Sequence, residues 1–435
     1  MAERPLSIGL VGFGTIGTGL VRALASHGAL VAERLGFPLA LTRIADVDLE
    51  RDRGVSLAGV RLGRDWREIV NDPEIDLVVE LVGGTKVAKD VVLAALDAGK
   101  SVVTANKALL ATHGAEIYAL AASKRTEIAF EASVGGTIPV LRALREGLCA
   151  DRVRALHGIV NGTCNFILTQ MEAQGEPYEV CLKRAQELGY AEPDPSFDVD
   201  GVDSAHKLAI LVGLAFGARI APDAFPIDGI RRIVPADIEY ARRIGLRIKL
   251  LAVAKQSAAG IEARVQPTMI PRESVLAGVD GSMNAIEVRG ELSGPTLYYG
   301  AGAGALPTAS AVLSDLMELA RARRLGVAGR VPPLGTREPA DAVLCPPGEE
   351  RGECYVRFTA LDKPGVLSRI TGALGARGIS IASVLQEERH ESRAVPIVLT
   401  VHEARQADLD AALADVARLP EVVAPAQKIR IEREL

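Results

Sequence analysis

Apolar residues fall along this chain in two rhythms, and the change comes near residue 140. Before it, a short apolar run at 6–11 and mainly apolar segments at 39–45, 75–81, 101–104 and 127–131 alternate with helical spacing, clearest at 15–24 and 91–98. Segments of that length read as strands, the first of them buried, and their alternation with helices predicts an α/β domain built on a doubly wound parallel sheet. Beyond residue 140, strands predicted at 153–158, 246–253, 261–267, 285–289 and 296–300 accompany helices predicted at 166–174, 178–188 and 203–215, an α+β arrangement. A long helical pattern at 306–324 carries Ala309, Val312, Leu313, Leu316 and Ala320 on one face and is expected to return to the first domain.

The stretch 326–352 is rich in proline, glycine and charge and reads as a linker that leaves the tail a separate folding unit. After it come strand 355–360, helix 366–376, strands 379–385 and 395–401, helix 407–416 and strand 422–431, a ferredoxin-like βαββαβ module. The expected division is 1–140 with a return helix at 306–325, then 141–305, the linker 326–352 and the tail 353–435.

Composition narrows the function classes. A chain of 435 residues with net charge -5 has no basic footprint, so nucleic acid is not the expected partner. No run of 18 uncharged apolar residues occurs, so no membrane span is expected, and Met-Ala-Glu-Arg-Pro leads into the first strand without a signal peptide. Cysteines 149, 164, 181, 345 and 354 are scattered and odd in number, which reads as reduced thiols in a cytoplasmic protein.

The candidate chemistry lies at strand ends. Gly12, Gly14 and Gly17 follow the first strand and open a helix. In a dinucleotide site the first glycine permits the turn, the second lets pyrophosphate approach, and the third lets helix and strand close. Asp46 ends the second strand, where an acid holds a ribose and repels a 2′-phosphate; Arg43, Arg51 and Arg53 argue the other way, and a solvated loop acid is the plainer alternative. Lys107, in Thr104-Ala-Asn106-Lys107, stands at the end of the fourth strand, near a nicotinamide or a substrate charge, or simply on the surface. The small-residue turns Glu131-Ala-Ser-Val-Gly-Gly136 and Gly300-Ala-Gly302-Ala-Gly304 would let backbone reach a ligand, or serve as crossovers.

The densest signal runs from Glu192 through Asp198 and Asp203 to Lys207. Prolines 193 and 195 stiffen the acidic loop. Asp203 and Lys207 share one helical face, one turn apart, and Lys207 is embedded among apolar residues, where an unpaired ammonium is costly. Such an acid–lysine pair suits proton handling on a small polar substrate. His206 reads as a satisfied polar helix residue rather than a catalyst.

In combination, GFGTIG, TANK, EASVGGTIP, NGTCNFIL, GYAEPDP with its downstream aspartate and lysine, and YYGAGAGALPTASAV resemble homoserine dehydrogenase over the whole chain. That resemblance implies reversible reduction of L-aspartate 4-semialdehyde to L-homoserine with NADPH or NADH, on the way to threonine, methionine and isoleucine. It implies Lys207 as proton donor, Lys107 as a second important lysine, and Glu192, Asp198 and Asp203 around the substrate. Phe13, Thr15 and Ile16 then belong to the cofactor turn, with Ser133, Gly189 and Gly302 lining it. Glu131 with backbone at Val134, Gly136 and Ile138 is similar to the family's sodium site. Ala45 stands where the family often has arginine, which leaves the choice between NADPH and NADH open. The tail, with Leu361-Asp362-Lys-Pro-Gly365 and 378–386, resembles an ACT domain, which implies an amino-acid effector, threonine above all, or a module serving only assembly. A homodimer or homotetramer is expected, and a monofunctional enzyme. Two rivals differ in class: a semialdehyde dehydrogenase, which needs a nucleophilic cysteine and has only Cys164 to offer, and a non-catalytic amino-acid sensor.

Overall fold

Six strands make a parallel sheet in the computed structural model, which describes residues 4–386 and 394–435. They are β1 (Leu6–Val11), β2 (Leu39–Ala45), β3 (Arg61–Gly63), β4 (Leu77–Glu80), β5 (Ser101–Thr104) and β6 (Ile128–Ala129). Their spatial order is β3-β2-β1-β4-β5-β6, every pairing parallel. β1 and β4 are wholly buried, Ser7 and Glu80 included, which leaves those two polar groups dependent on partners inside the protein. The strand order reverses between β1 and β4, so the crevice at their carboxyl ends is the position where such sheets bind ligands.

This sheet belongs to the first of two units, which comprises Met1–Arg154, Ala205–Ala224 and Met283–Asp341. Helix Thr15–Leu35 is longer than the predicted 15–24 and ends at Gly36 in the left-handed conformation. Helix Ala305–Leu325 shares one apolar core with β1, β2, β4 and helix Thr15–Leu35, through Ala309, Val312, Leu316 and Ala320. A β-carbon at Gly19 would lie 2.5 Å from the Ala305 carbonyl oxygen, so that glycine allows the two helices to close. The hairpin Met283–Gly290 and Gly294–Ala301 completes the unit's strands among the described residues, apart from the short pair Ala218–Arg219 and Ala340–Asp341.

The second unit, Ala155–Ser204, Phe225–Ser282 and Ala342–Leu435, holds a mixed sheet. In spatial order its strands are Val153–Ile159, Leu246–Ser257, Gly260–Pro271, Val422–Ile431, Arg351–Leu361, Ala394–Arg405 and Ile381–Leu385. One pairing is parallel, with Thr268 opposite Arg430 and Met269 opposite Ile431. Helices Val366–Gly375 and Gln406–Val416 cover the tail strands through Ile370, Leu374, Leu409, Ala412 and Val416.

The tail therefore differs from the expected separate folding unit. Its last strand extends the substrate-domain sheet, and Glu432 beyond it donates its N–H to the Met269 carbonyl. Nor is 326–352 a free tether: the Ile261 N–H donates to Val343, and the Cys345 N–H donates to Ile261. Proline, glycine and charge reveal a lack of regular structure, but not that an edge strand will satisfy those backbone groups. Strand Arg61–Gly63, helix Lys107–Lys124 and helix Pro235–Arg243 are additions to the predicted elements; the first is only three residues long and the second carries almost no apolar periodicity, while the third is amphipathic but short.

Candidate active site

The first unit gathers its site residues at the carboxyl ends of β1, β2, β4 and β5. Gly12 has φ +98, and a β-carbon there would lie 2.5 Å from the Leu81 carbonyl oxygen. At Gly17 it would lie 2.4 Å from the Gly12 carbonyl oxygen, whereas at Gly14 it would meet nothing within 4 Å. Gly12 makes the turn, Gly17 lets helix and strand close, and Gly14 leaves the face of the turn bare. Helix Thr15–Leu35 begins there without a side-chain cap, so its first amides and its dipole favour an anion. These residues fit the pyrophosphate of a dinucleotide, whose nicotinamide, when bound, supplies the hydride.

Asp46 does reach this turn. Its Oδ2 accepts the Phe13 N–H at 2.5 Å and its Oδ1 accepts the Asp48 N–H at 2.8 Å. Arg53 donates from Nε to the Phe13 carbonyl at 2.6 Å, lies over the Phe13 ring at 4.5 Å and stands 3.8 Å from Asp46 Oδ1. The acid that would repel a 2′-phosphate is thus accompanied by a cation that would attract one.

Lys107 is the first residue of helix Lys107–Lys124, capped by Asn106, whose side-chain oxygen accepts the Leu109 N–H. The turns at 131–138 and 300–304 come together. The Thr137 N–H donates to the Ala301 carbonyl, and a β-carbon on Gly136 would lie 2.5 Å from the Gly302 carbonyl oxygen. Gly302 in turn packs on the carboxamide of Asn284, which is 1% exposed and whose two polar atoms have no hydrogen-bond partner among the described residues. Sequence reasoning missed Asn284; a lone amide inside the apolar strand Met-Asn-Ala-Ile-Glu-Val was the available signal. Ser133 is buried and donates its hydroxyl to the Phe130 carbonyl.

Glu131 is buried, and both its carboxylate oxygens accept backbone N–H groups, from Leu141 and Arg142. Burial, reinforced by the neighbouring Asp315 carboxylate, pushes its pKa up to about 7. Val134 and Ile138 are buried beside it in sequence, and the Ile138 carbonyl accepts the Val140 N–H. Among the described residues no group of three or more His, Cys, Asp or Glu side chains could hold a metal.

The second unit builds an acidic cluster around Asn161. This residue caps helix Gly162–Gln174 with its side-chain oxygen. Its amide nitrogen donates to Asp198 at 2.8 Å and to Asp203 at 2.9 Å. Asp198 also accepts the Thr163 hydroxyl at 3.3 Å. Arg231 holds the loop from the side, through Asp200 at 2.5 Å and Ser196 at 3.0 Å. Asp194 folds onto Ser196, whose hydroxyl first and N–H second keep its pKa below the usual carboxylate range. Glu192 is exposed, and its carbonyl accepts Gln186. Gly189 adopts φ +76 and faces open space. Cys164 is wholly buried, its Sγ donating to the Asp198 carbonyl at 3.2 Å, which does not suit the nucleophile that a semialdehyde dehydrogenase requires.

Helix Val202–Phe216 carries both Asp203 and Lys207, one turn apart; they are 3% and 9% exposed, while His206 is half-buried. The expected face is therefore real and withdrawn from solvent. In the tail, a cavity of about 510 Å³ is lined by Asp362, Lys363, Gly365, Val366, Leu367 and Gln386, among others, with Gln386 donating to Asp362. It lies where the tail's effector was expected.

A dinucleotide turn on a parallel sheet, a buried acid–lysine helix and a cavity-bearing βαββαβ tail define a nicotinamide-dependent oxidoreductase with a ligand-binding module. Comparison with known proteins gives the particular family. Residues 12–131 match the NAD-binding domain of homoserine dehydrogenase, 139–317 match homoserine dehydrogenase itself and 355–421 match the ACT domain. Homoserine dehydrogenase of Neisseria gonorrhoeae is 42% identical, covering 99% of each chain. The crystal structure of a homoserine dehydrogenase from Thiobacillus denitrificans is also 42% identical, with TM-score 0.94 over 99% of both chains. A hyperthermophilic archaeal homoserine dehydrogenase in complex with NADPH is 25% identical, with TM-score 0.62 over 73% of this chain and 98% of that one. The chain belongs to the homoserine dehydrogenase family and is an oxidoreductase with a nicotinamide-binding domain and an ACT tail. Among the described residues no helix is long and apolar enough to cross a membrane.

Proposed function

We propose that this enzyme reduces L-aspartate 4-semialdehyde to L-homoserine, reversibly, with Lys207 donating the proton. The observation that carries the reading is the burial of Asp203 and Lys207 one turn apart on one helix, with Asp203 held by Asn161. Hydride arrival at a carbonyl leaves negative charge on oxygen. The Lys207 ammonium stabilises that charge and passes its proton to it. Glu192, Asp198 and Asp203 bind the substrate, their charge suiting its ammonium group. Gly12, Phe13, Gly14, Thr15, Ile16 and Gly17, with Asp46, Ser133, Gly189 and Gly302, hold the cofactor, and Lys107 steadies the reacting end. Asp46 and Arg53 together favour acceptance of both NADH and NADPH. A sodium ion at Val134, Gly136 and Ile138 rests on resemblance; with Glu131 already accepting two amides, carbonyls would supply most of its ligands.

The enzyme serves threonine, methionine and isoleucine synthesis in the cytoplasm, as a homodimer or homotetramer. Threonine inhibits it by filling the cavity beside Asp362 and Gly365, which supplies a carboxylate for an ammonium and a bare backbone for close approach. Because the tail shares a sheet with the rest of the second unit, point substitutions test this better than truncation. Cofactor oxidation is to be followed with aspartate semialdehyde, with and without threonine. Lys207→Ala should lower kcat by about 10²–10⁴ in a folded enzyme. Asp362→Ala should raise the threonine concentration for half inhibition without changing kcat. Near-normal turnover in the first variant, or unchanged inhibition in the second, would defeat the corresponding assignment.

A further inference from the structure

Glu80 ends β4 at the carboxyl edge of the parallel sheet and is 0% exposed. A carboxylate in that position is expensive unless donors surround it. Its Oε1 accepts the Val82 N–H at 2.8 Å, and its Oε2 accepts the Thr104 hydroxyl at 2.6 Å. Having donated its only hydroxyl proton to Glu80, Thr104 uses its lone pairs to accept the Asn106 N–H at 3.0 Å. Asn106 then engages both ends of its amide. Its Oδ1 accepts the Leu109 N–H at 3.0 Å, capping the helix that Lys107 opens, and its Nδ2 donates to the Gly84 carbonyl at 2.6 Å. Gly83 and Gly84 have φ +80 and +66, so the segment that receives this bond is a glycine turn with little rigidity of its own.

These bonds form one circuit: Glu80 to Thr104, Thr104 to Asn106, Asn106 back to the turn that follows Glu80. It ties the end of β4 to the end of β5. Lys107 is the residue immediately after Asn106, so the circuit sets where its side chain starts and in which direction its helix leaves the sheet. The polarity of the circuit has a fixed sense. Glu80 meets a donor on each oxygen. An amide in its place would turn an NH₂ group either toward the Val82 N–H, donor against donor, or toward Thr104, whose hydroxyl would have to surrender its present role. Shape alone therefore does not maintain the circuit.

We propose that Glu80, acting through Thr104 and Asn106, is a positioning residue that holds Lys107 at the reacting end of the cofactor crevice. The inference rests on the reading that Lys107 works there. It assigns a purpose to a buried acid that neither the dinucleotide turn nor the acid–lysine helix requires.

The test uses the full-length enzyme and four substitutions, read by kcat, by the Kd of NADPH from its fluorescence, and by melting temperature. Glu80→Gln and Thr104→Val should each lower kcat by roughly 10–100-fold, the loss expected when a reacting group is displaced by about an ångström. NADPH affinity should stay within about threefold, and Thr104→Ser, which keeps the hydroxyl, should retain most activity. In a Lys107→Met background, Glu80→Gln should cost less than about twofold more, because it acts through the side chain already removed. Equal losses in both backgrounds, or a lowered melting temperature with unchanged kcat, would make Glu80 a purely structural residue and overturn the inference while leaving Lys107 its role. Normal turnover in Lys107→Met would overturn the role of Lys107 itself, and this inference with it. If Glu80→Gln fails to fold, the Thr104→Val and Thr104→Ser pair decides alone.

Discussion

The two units each bury a glutamate, and they do so on opposite terms. Glu80 in the first unit is surrounded by neutral donors, a threonine hydroxyl and backbone amides, and burial raises its pKa against them. Glu432 in the second unit is also buried, and burial pushes it upward too, but Arg264 and Lys255 outweigh that and hold its pKa down. Arg264 Nη2 donates to Glu432 Oε2 at 2.7 Å, and Lys255 closes on its other oxygen. The difference follows from the chemistry of the partners. Neutral dipoles orient a carboxylate without cancelling its charge, whereas cations cancel the charge and make the group a fastening. Neutral donors surround the acid beside the candidate cofactor crevice. Cations surround the acid where the tail's last strand joins the substrate-domain sheet.

Asp237 is a second fastening of the cationic kind. It is 0% exposed on helix Pro235–Arg243, and it accepts the Tyr355 hydroxyl at 2.9 Å and Arg357 Nε at 2.7 Å, both from the tail's first strand. The same strand runs on into Leu361 and the cavity beside Asp362. From the helix, the preceding segment reaches the acidic loop, with the Ile230 N–H donating to Val199 and Arg231 bonding Asp200.

The largest effect should come from removing a cation. Arg264→Met leaves Glu432 buried beside one fewer positive charge, and a loss of about 3–5 kcal/mol of stability is expected by denaturant unfolding. A loss below about 1 kcal/mol would erase the contrast between the two glutamates.

A smaller effect separates them by pH. The lowered pKa of Glu432 contributes stability that is present above its unfolded value near 4.5 and is lost as pH falls through the folded value. Glu80 has the opposite sign. Its raised pKa means the folded state holds the proton longer, so its contribution is lost as pH rises above 4.5. The stability gap between wild type and Glu432→Gln should therefore narrow on acidification below pH 4.5, while that between wild type and Glu80→Gln should widen in favour of wild type as pH falls toward 4.5 and change no further below it. Parallel pH curves for the two variants would show that their surroundings do not differ as described.

The smallest effect tests whether the tail's fastening carries information. Tyr355→Phe removes one of the donors to Asp237 and should cost about 1–3 kcal/mol. If the tail's cavity communicates with the acidic loop through this helix, the same variant should also shift the threonine concentration for half inhibition, with kcat held. Unchanged inhibition would leave Asp237 a fastening and nothing more.

Much of the architecture was legible before folding. The mainly apolar segments at 6–11, 75–81 and 101–104 suit strands buried on both faces, and their alternation with helices leaves few topologies. Gly12 and Gly17 were legible from their spacing after the first strand, and the structure leaves no room for a β-carbon at either, since one would lie within 2.5 Å of a carbonyl oxygen. The Asp203–Lys207 face followed from helical spacing alone. These features depend on neighbours in the chain, so local periodicity encodes them.

What depended on distant partners was not legible. Spacing could not show that Asp46 would meet both the Phe13 amide and Arg53, nor that Asn161 would join Asp198 to Asp203 across 37 and 42 residues. Glu80, Thr104 and Gly84 form a circuit because β4 and β5 lie side by side, a fact of strand order rather than of sequence pattern. The tail's place was likewise decided by a parallel pairing of Thr268 and Met269 with Arg430 and Ile431, over more than 160 residues of chain. Hydrophobic period declares which face of an element is buried. Which polar group will meet which is settled only when tertiary packing removes water and leaves each buried donor and acceptor to find its partner.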